Sequence, residues 1–504
     1  MSGKVYIVGA GPGDAGLITV KGLECLKWAG VVVYDRLIDG SLLDSVLVEA
    51  ERIYVGKSAK VHAKEQHEIN RILVEKASEG KLVVRLKGGD PFVLGRGGEE
   101  AEELVKHNIP FEIVPGISSA LAAPAYAGIP VTHRSVSSSF AVITGHEDPT
   151  KEISSINWKN LATGGDTLVF LMGMGNLPKI AQKLIENGRN PRTPVALIRQ
   201  GTTPGQKTLV GALSNIAEKA EAAGLEPPVV IVVGEVVGLR EKLAWFDNRP
   251  LFGKRILVTR SRTQASVLSK LLRERGADPI ELPVIEIVDV PDPSEMDQAI
   301  LNLATYEWVI FTSANGVQAF WKRLLALGLD ARQFARSGIV AIGPATAGAL
   351  ADRGIVPDVV PEKFTSESIL LMLKGKGIEG CRVLLPRADI APKDLSEGLI
   401  KLGAKPREVT AYLTKPPEKS VSARAKKLLL EGQIDIITFT SSSTVTNLID
   451  ALGGDRNAAQ KARIACIGPV TAAAAQRAGL KVDIVAREST IPGLVAAIEE
   501  GFRK

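Results

Sequence analysis

The chain has 504 residues, 45% of them hydrophobic and 5% aromatic, a length and composition that call for several domains with aliphatic α/β cores. The net charge of +6 is carried beyond residue 250, no Lys/Arg run marks a nucleic-acid arm, and no apolar run is long enough to span a membrane. Cys25, Cys381 and Cys466 are too scattered for a metal or redox motif, and no leader peptide is visible, so a reduced, cytoplasmic protein is the simple reading.

The first predicted element is the strand "KVYIVG", which runs into "AGPGD". A dinucleotide loop reads G-x-G-x-x-G, but here Gly9 and Gly11 are followed by Gly13 and then Asp14. Pro12 removes a backbone N–H that a pyrophosphate would use. The loop is sharp, yet a poor phosphate cradle. Further strand-like runs follow: "GVVVYD", "KLVVRLKGG", "FEIVPG", "FAVITG", "TLVFLMG", "TPVALIRQG" and "PVVIVVGEVV". Amphipathic stretches such as "GEEAEELVKHN" and "NLPKIAQKLIENG" separate them. The alternation predicts α/β architecture with largely parallel sheets and ligand sites at the carboxyl ends of strands.

"LAWFDNRPLFGKRILV" interrupts the pattern, and residues 247–253 read as a linker between a domain at 1–246 and another at 254–504. The second half repeats itself. "WVIFTSANGVQAF" at 308–320 matches "DIITFTSSSTVTNL" at 435–448, and "GIVAIGPATAGALADRGIVPDVV" matches "RIACIGPVTAAAAQRAGLKVDIV". "RILVTRS" at 255–261 also matches "RVLLPRA" at 382–388. The order predicts two lobes, one of them discontinuous: lobe one at about 254–289 plus 413–504, and lobe two at about 290–412.

"RLKGGDPFVLGRGGEE" at 85–100 is the most unusual stretch of the first half. Two glycines let a ligand approach the backbone, although a plain turn with an N-cap explains them equally well. "VPGISSALAAPAYAGIPVTHR" adds a helix of small residues. All five histidines lie within the first 146 residues and none has ligand spacing, so no metal is expected and the second half works without histidine.

Taken in order, "VGAGPGDAGLITVKG", "VVVYDRL", "VGK", "RLKGGDPFVLGRGGEE", "VPGISSA" and "AGIPVTHR" closely resemble the tetrapyrrole (precorrin) methyltransferase family, best its uroporphyrinogen-III C-methyltransferase branch, over about residues 3–245. The resemblance implies two α/β subdomains with S-adenosylmethionine in the cleft between them, and a homodimer through this half. It makes the "GAGPGD" loop part of the active-site rim. It implies Asp35 as proton acceptor and Lys57 as proton donor. It implies cofactor contacts at Pro12, Gly88, Gly89, Asp90 and Val93, then at Ser118 and Ser119, where the family often has Thr-Ala. Met172 and Gly201 fall at its adenosine-side positions. On residue type alone, Asp35 could cap a turn, Lys57 could be solvated and Met172 could fill a core.

From about residue 253 to 504, "FTSANGV", "IGPATA", "PREVTAYLT", "FTSSSTV" and "IGPVTA" resemble the uroporphyrinogen-III synthase family. That resemblance implies a bilobed fold joined by two extended strands, closing hydroxymethylbilane to uroporphyrinogen III between the lobes. Tyr412 matches a tyrosine suggested to help hydroxide leave, and could equally pack a hinge. Thr312, Ser313, Thr346, Thr440, Ser441, Ser442 and Thr471 stand where strands give way to helices. Most read as N-caps, with substrate contact added at Thr346 and Thr471. The combination implies a bifunctional enzyme that makes uroporphyrinogen III and methylates it twice to precorrin-2, on the sirohaem and cobalamin branch. The alternative is a methyltransferase for a later precorrin fused to a bilobed ligand-binding module.

Overall fold

The central strands of the first half are largely buried aliphatic runs, and such runs need cover on both faces. The computed structural model, which describes residues 3–56, 65–146, 156–259, 262–282, 286–362, 364–415 and 426–503, supplies that cover. β1 (Lys4–Gly9), β2 (Val31–Tyr34), β3 (Glu51–Tyr54), β4 (Leu82–Lys87) and β5 (Phe111–Val114) form one sheet in the order β3-β2-β4-β1-β5. Its four strand pairings are all parallel. Alternation divides the side chains. Val5, Ile7, Val31, Val33 and Val83 face the helices Gln66–Ser78 and Gly97–Lys106, whereas Val8, Val32, Val84 and Leu86 face the helix Val20–Trp28 and bury Cys25. Each such side chain contributes about 1.5–3 kcal/mol by leaving water.

β6 (Phe140–Thr144), β7 (Thr167–Leu171), β8 (Pro194–Arg199), β9 (Lys207–Ala212) and β10 (Val229–Val233) form a second sheet, ordered β6-β7-β10-β8-β9. This sheet corrects the expectation of largely parallel pairing. Only β6–β7 is parallel, while β10–β7, β10–β8 and β8–β9 are antiparallel. A short connection through Gly201, Pro204 and Gly205 folds β9 back on β8 as a hairpin, which a helical crossover would have prevented.

The described chain divides into two compact units. One is Met1–Lys254 with Leu272–Asp278 and Phe502–Lys504, and the other is Arg255–Leu271 with Pro279–Gly501. The second unit is built on β11 (Arg255–Val258), β12 (Asp278–Glu281), β13 (Glu286–Val288), β14 (Trp308–Phe311), β15 (Gly338–Ala341), β16 (Arg382–Ala388), β17 (Lys405–Lys415), β18 (Ile436–Phe439), β19 (Arg463–Cys466) and β20 (Ile484–Val485). They make two sheets, β12-β11-β18-β19-β20 and β13-β17-β16-β14-β15. The sequence places the first crossing near residue 289, but β13 already belongs to the second sheet, where it pairs antiparallel with β17. Pairing with β17 outweighs continuity with β12.

The repeat is visible in its hydrogen bonds. Glu307 accepts from the Arg382 backbone N–H at 2.7 Å, and Asp435 accepts from that of Arg255 at 2.8 Å. Asp358 accepts from Ile339 N–H at 2.7 Å, and Asp483 from Ile464 N–H at 2.9 Å. Each carboxylate fastens the start of a strand that would otherwise leave an N–H unpaired.

Candidate active sites

The loops leaving β1 and β4 meet because their strands are neighbours and both run directly into glycine-containing turns. Gly11 and Gly89 exchange backbone bonds, 3.2 Å from Gly11 N–H to Gly89 O and 2.7 Å in return, with φ of +80° and +70°. Only glycine holds such angles without strain. Asp90 completes the loop. One carboxylate oxygen accepts from Phe92 and Val93 N–H at 2.8 and 3.1 Å, and the other from Gly116 N–H at 3.0 Å. Its carboxylate therefore shapes the turn.

The "GAGPGD" loop has a comparable task. Asp14 donates its N–H to Thr202 Oγ1 at 3.0 Å and accepts from Gly16 N–H at 2.8 Å and the Tyr126 hydroxyl at 2.7 Å. Thr202 follows β8 of the second sheet, so the loop clasps one subdomain to the other. Asp14→Ala leaves the half-buried Tyr126 hydroxyl without its acceptor. We expect a loss of about 1–3 kcal/mol of unfolding free energy in a denaturant titration.

Between the subdomains lies a cleft of about 440 Å³. Pro12, Gly88, Gly89, Asp90 and Val93 line it from the first sheet. Ser118 and Ser119 line it at the start of the helix Ser119–Tyr126, where Ser118 Oγ accepts from Ala120 N–H at 3.3 Å. Met172 and Gly201 line it from the second sheet. A Cβ on Gly201 would sit 2.5 Å from Ala123 Cβ, so close packing requires that glycine.

Asp35 does not line this cleft, although Leu37, two residues on, does. It follows β2 with its side chain 29% exposed, and Oδ2 accepts from Arg85 Nη2 at 3.1 Å. Oδ1 is buried and has no hydrogen-bond partner. Lys57 lies outside the described residues. Behind Asp35 stand Arg85, Lys87 and Glu100, all buried. Burial, with Arg85 alongside, pulls the Lys87 ammonium below the ordinary lysine range.

In the second unit, a register shift between Arg387 and Ala388 sets Tyr412 opposite Ala388. Tyr412 is buried in the β14–β17 core, and its hydroxyl lies 3.1 Å from Ser313 Oγ. Ser313 caps the helix Ala314–Ala326 by accepting from Gly316 N–H at 3.0 Å, and Ser441 caps Ser442–Ala451 in the same way. Thr346 and Thr471 are buried at equivalent places in the repeat: both stand third in their helices, behind Gly343 and Gly468, and neither supplies the cap.

The family model for Tetrapyrrole (Corrin/Porphyrin) Methylases matches residues 4–217, and that for Uroporphyrinogen-III synthase HemD matches 266–496. The porphyrin biosynthesis protein HemD of Ruminiclostridium josui is 42% identical over 498 residues, covering 99% of this chain and 98% of that protein. The uroporphyrinogen-III C-methyltransferase of Methanocaldococcus jannaschii is 57% identical over 240 residues, 47% of this chain and 98% of that one. This chain joins the tetrapyrrole methylase and uroporphyrinogen-III synthase families, one in each half. Among solved structures, the uroporphyrin-III C-methyl transferase of Thermus thermophilus complexed with S-adenyl homocysteine is 40% identical, covers 47% of this chain and all of that one, and has a TM-score of 0.41.

In the methylase half, five of the six described non-glycine residues with left-handed backbone, Leu94, Arg96, Met172, Gln200 and Thr202, with φ between 47° and 73°, line the cleft or follow within two residues of one that does, and the sixth is Asn108. Such residues cost about 1–3 kcal/mol each and persist where the surroundings enforce them. Gln200 and Leu94 line the cleft and escape a sequence reading, since nothing in "LIRQGT" or "FVLGRGG" marks a left-handed non-glycine. Two of the buried trio behind Asp35 did leave a signal. Arg85 and Lys87 interrupt an otherwise aliphatic strand on one face, and core charges require partners.

Proposed function

We propose that the synthase half cyclises hydroxymethylbilane to uroporphyrinogen III, and that the methylase half methylates this product twice with S-adenosylmethionine to give precorrin-2, on the sirohaem and cobalamin branch. The observation that carries the reading is one chain holding both families, with nine motif residues around a single cleft. The cleft suits the donor. Its walls are glycine backbone with apolar Val93 and Met172, and it falls in the size range of small-molecule sites. S-adenosylmethionine brings a methyl group already activated on a sulfonium. Pro12, Gly88, Gly89, Ser118, Ser119, Met172 and Gly201 hold it. Asp90 keeps the "GGDP" backbone in the binding shape. A ring that has gained a methyl cation must lose a proton, and Asp35 Oδ1 is the acceptor we assign, with Lys57 returning protons to the substrate.

In the synthase half, Tyr412 assists hydroxide departure while Thr346 and Thr471 contact substrate carboxylates. Tyr412→Phe then slows cyclisation by about a hundredfold or less, the low end of general-acid effects, because the pyrrole nitrogen already stabilises the cation. The inverted isomer should remain the product. A wild-type rate would remove Tyr412 from catalysis.

The decisive test incubates the full chain with hydroxymethylbilane and S-adenosylmethionine and reads the product mass. Uroporphyrinogen III carrying two added methyl groups is expected. Cyclised but unmethylated product would favour a later precorrin as the methyl acceptor. The same reading includes a homodimer through the methylase half, which light scattering checks, and a cytoplasmic location. Among the described residues no helix is long and apolar enough to cross a membrane.

A further inference from the structure

Four ionisable side chains meet behind the methylase cleft, and the proposed reaction uses only Asp35. Arg85 and Lys87 share one face of β4, because residues two apart on a strand point the same way. That face packs against the helix Gly97–Lys106, whose first turn carries the fully buried Glu100. A single oxygen, Glu100 Oε1, accepts from Lys87 Nζ at 2.8 Å, Arg85 Nε at 3.1 Å and Gln66 Nε2 at 3.3 Å. The rest of the Arg85 guanidinium is also committed. Nη1 donates to Val33 O at 3.3 Å and Leu86 O at 3.2 Å, and Nη2 to Asp35 Oδ2 at 3.1 Å.

The group thus holds two cations and two anions, and their division is uneven. Arg85 serves both carboxylates, whereas the Lys87 ammonium is hydrogen-bonded to Glu100. Asp35 Oδ1 and Glu100 Oε2 both remain buried without a hydrogen-bond partner, which costs free energy and leaves each carboxylate one acceptor uncommitted. Without the Glu100 charge, both cations would be drawn to Asp35 alone, since an interior cation seeks the nearest carboxylate.

We propose that Glu100 is a positioning residue for methyl transfer: it locks Arg85 against Asp35 Oδ2 and retains Lys87, so that Oδ1 stays free to receive the proton. The inference rests on the reading of Asp35 as proton acceptor. Its chemistry balances there: the methyl group leaves sulfur without its bonding pair, a carbon–carbon bond forms, and the proton released by the ring goes to Asp35.

The test measures methyl transfer to uroporphyrinogen III by the full-length chain, with S-adenosylhomocysteine affinity read by calorimetry. Glu100→Gln should lower kcat by about tenfold or more, with KM for the donor and S-adenosylhomocysteine affinity within about twofold of wild type. Adding Lys87→Met to Glu100→Gln should recover most of the lost rate, because the competing ammonium is gone. A general loss of packing would not be rescued by a second core substitution. Wild-type kcat in Glu100→Gln, or no recovery in the double variant, overturns the proposal. Asp35→Asn is measured beside them and reports on the underlying reading. If it keeps the wild-type rate, Asp35 is not the acceptor, whatever Glu100 does. If Glu100→Gln does not fold, Arg85→Lys carries the test. It keeps the charge but cannot reach both carboxylates at once, and should lower kcat with donor affinity preserved. A wild-type kcat there overturns the proposal.

Discussion

Gly89→Val is expected to abolish binding of S-adenosylmethionine, with affinity for S-adenosylhomocysteine falling by about a hundredfold or more. Two costs combine. Gly89 sits at φ +70°, which a β-branched residue adopts only with strain of roughly 1–3 kcal/mol. The backbone cannot turn to relieve it, because both its N–H and its C=O are bonded to Gly11. Any relaxation then moves the "GAGPGD" loop or pushes the new side chain into the cleft that Gly89 lines. At 1.4 kcal/mol per tenfold, strain alone supplies up to about a hundredfold. Circular dichroism first establishes that the variant folds, and calorimetry then reads the affinity. Normal binding in a folded variant would make the "GGDP" loop purely structural.

Asp35→Asn should do the reverse, leaving donor affinity within about twofold while cutting methyl transfer by roughly a hundred- to ten-thousandfold, the usual scale for a lost general base. The asparagine keeps the size of the side chain and still accepts from Arg85, so folding should survive. What it cannot do is hold a proton at Oδ1. Asp35 stands outside the cleft lining, and that separation is why binding and rate should part company. Loss of S-adenosylhomocysteine binding in the folded variant would move Asp35 to the donor site.

How much of this was legible in the sequence depended on what each residue does. Gly11, Gly13 and Gly89 in "GAGPGD" and "KGGDP" announce turns because glycine adopts positive φ without strain, so the loops around the cleft could be read directly. The repeat exposed the construction of the second half, since Glu307 and Asp435, or Asp358 and Asp483, perform one task twice. Strand direction was not legible. "TLVFL" and "VVIVV" are aliphatic on both faces whether they run parallel or antiparallel, and β7 and β10 prove antiparallel. Met172 was read from a motif, but its left-handed backbone has no signature in "FLMGMG". Glu100 was hidden for another reason. In "GRGGEE" it looks like one more solvated charge, and its burial follows only from the register of its helix against β4.

The antiparallel ribbon of β13 and β17 has a mechanical meaning. Val288 pairs with Leu413 and Glu286 with Lys415, so both chain connections between the synthase lobes leave through one narrow ladder. Two-stranded ribbons take up more twist than wide sheets, so the ladder can absorb torsion that the sheets on either side resist. Tyr412 lies one residue before the ladder, and Ser313 belongs to the same lobe. Torsion of the ribbon would therefore carry the tyrosine and its serine together as cargo. On the proposed reading of Tyr412 as the group that helps hydroxide leave, a change in lobe separation would leave its pairing with Ser313 intact.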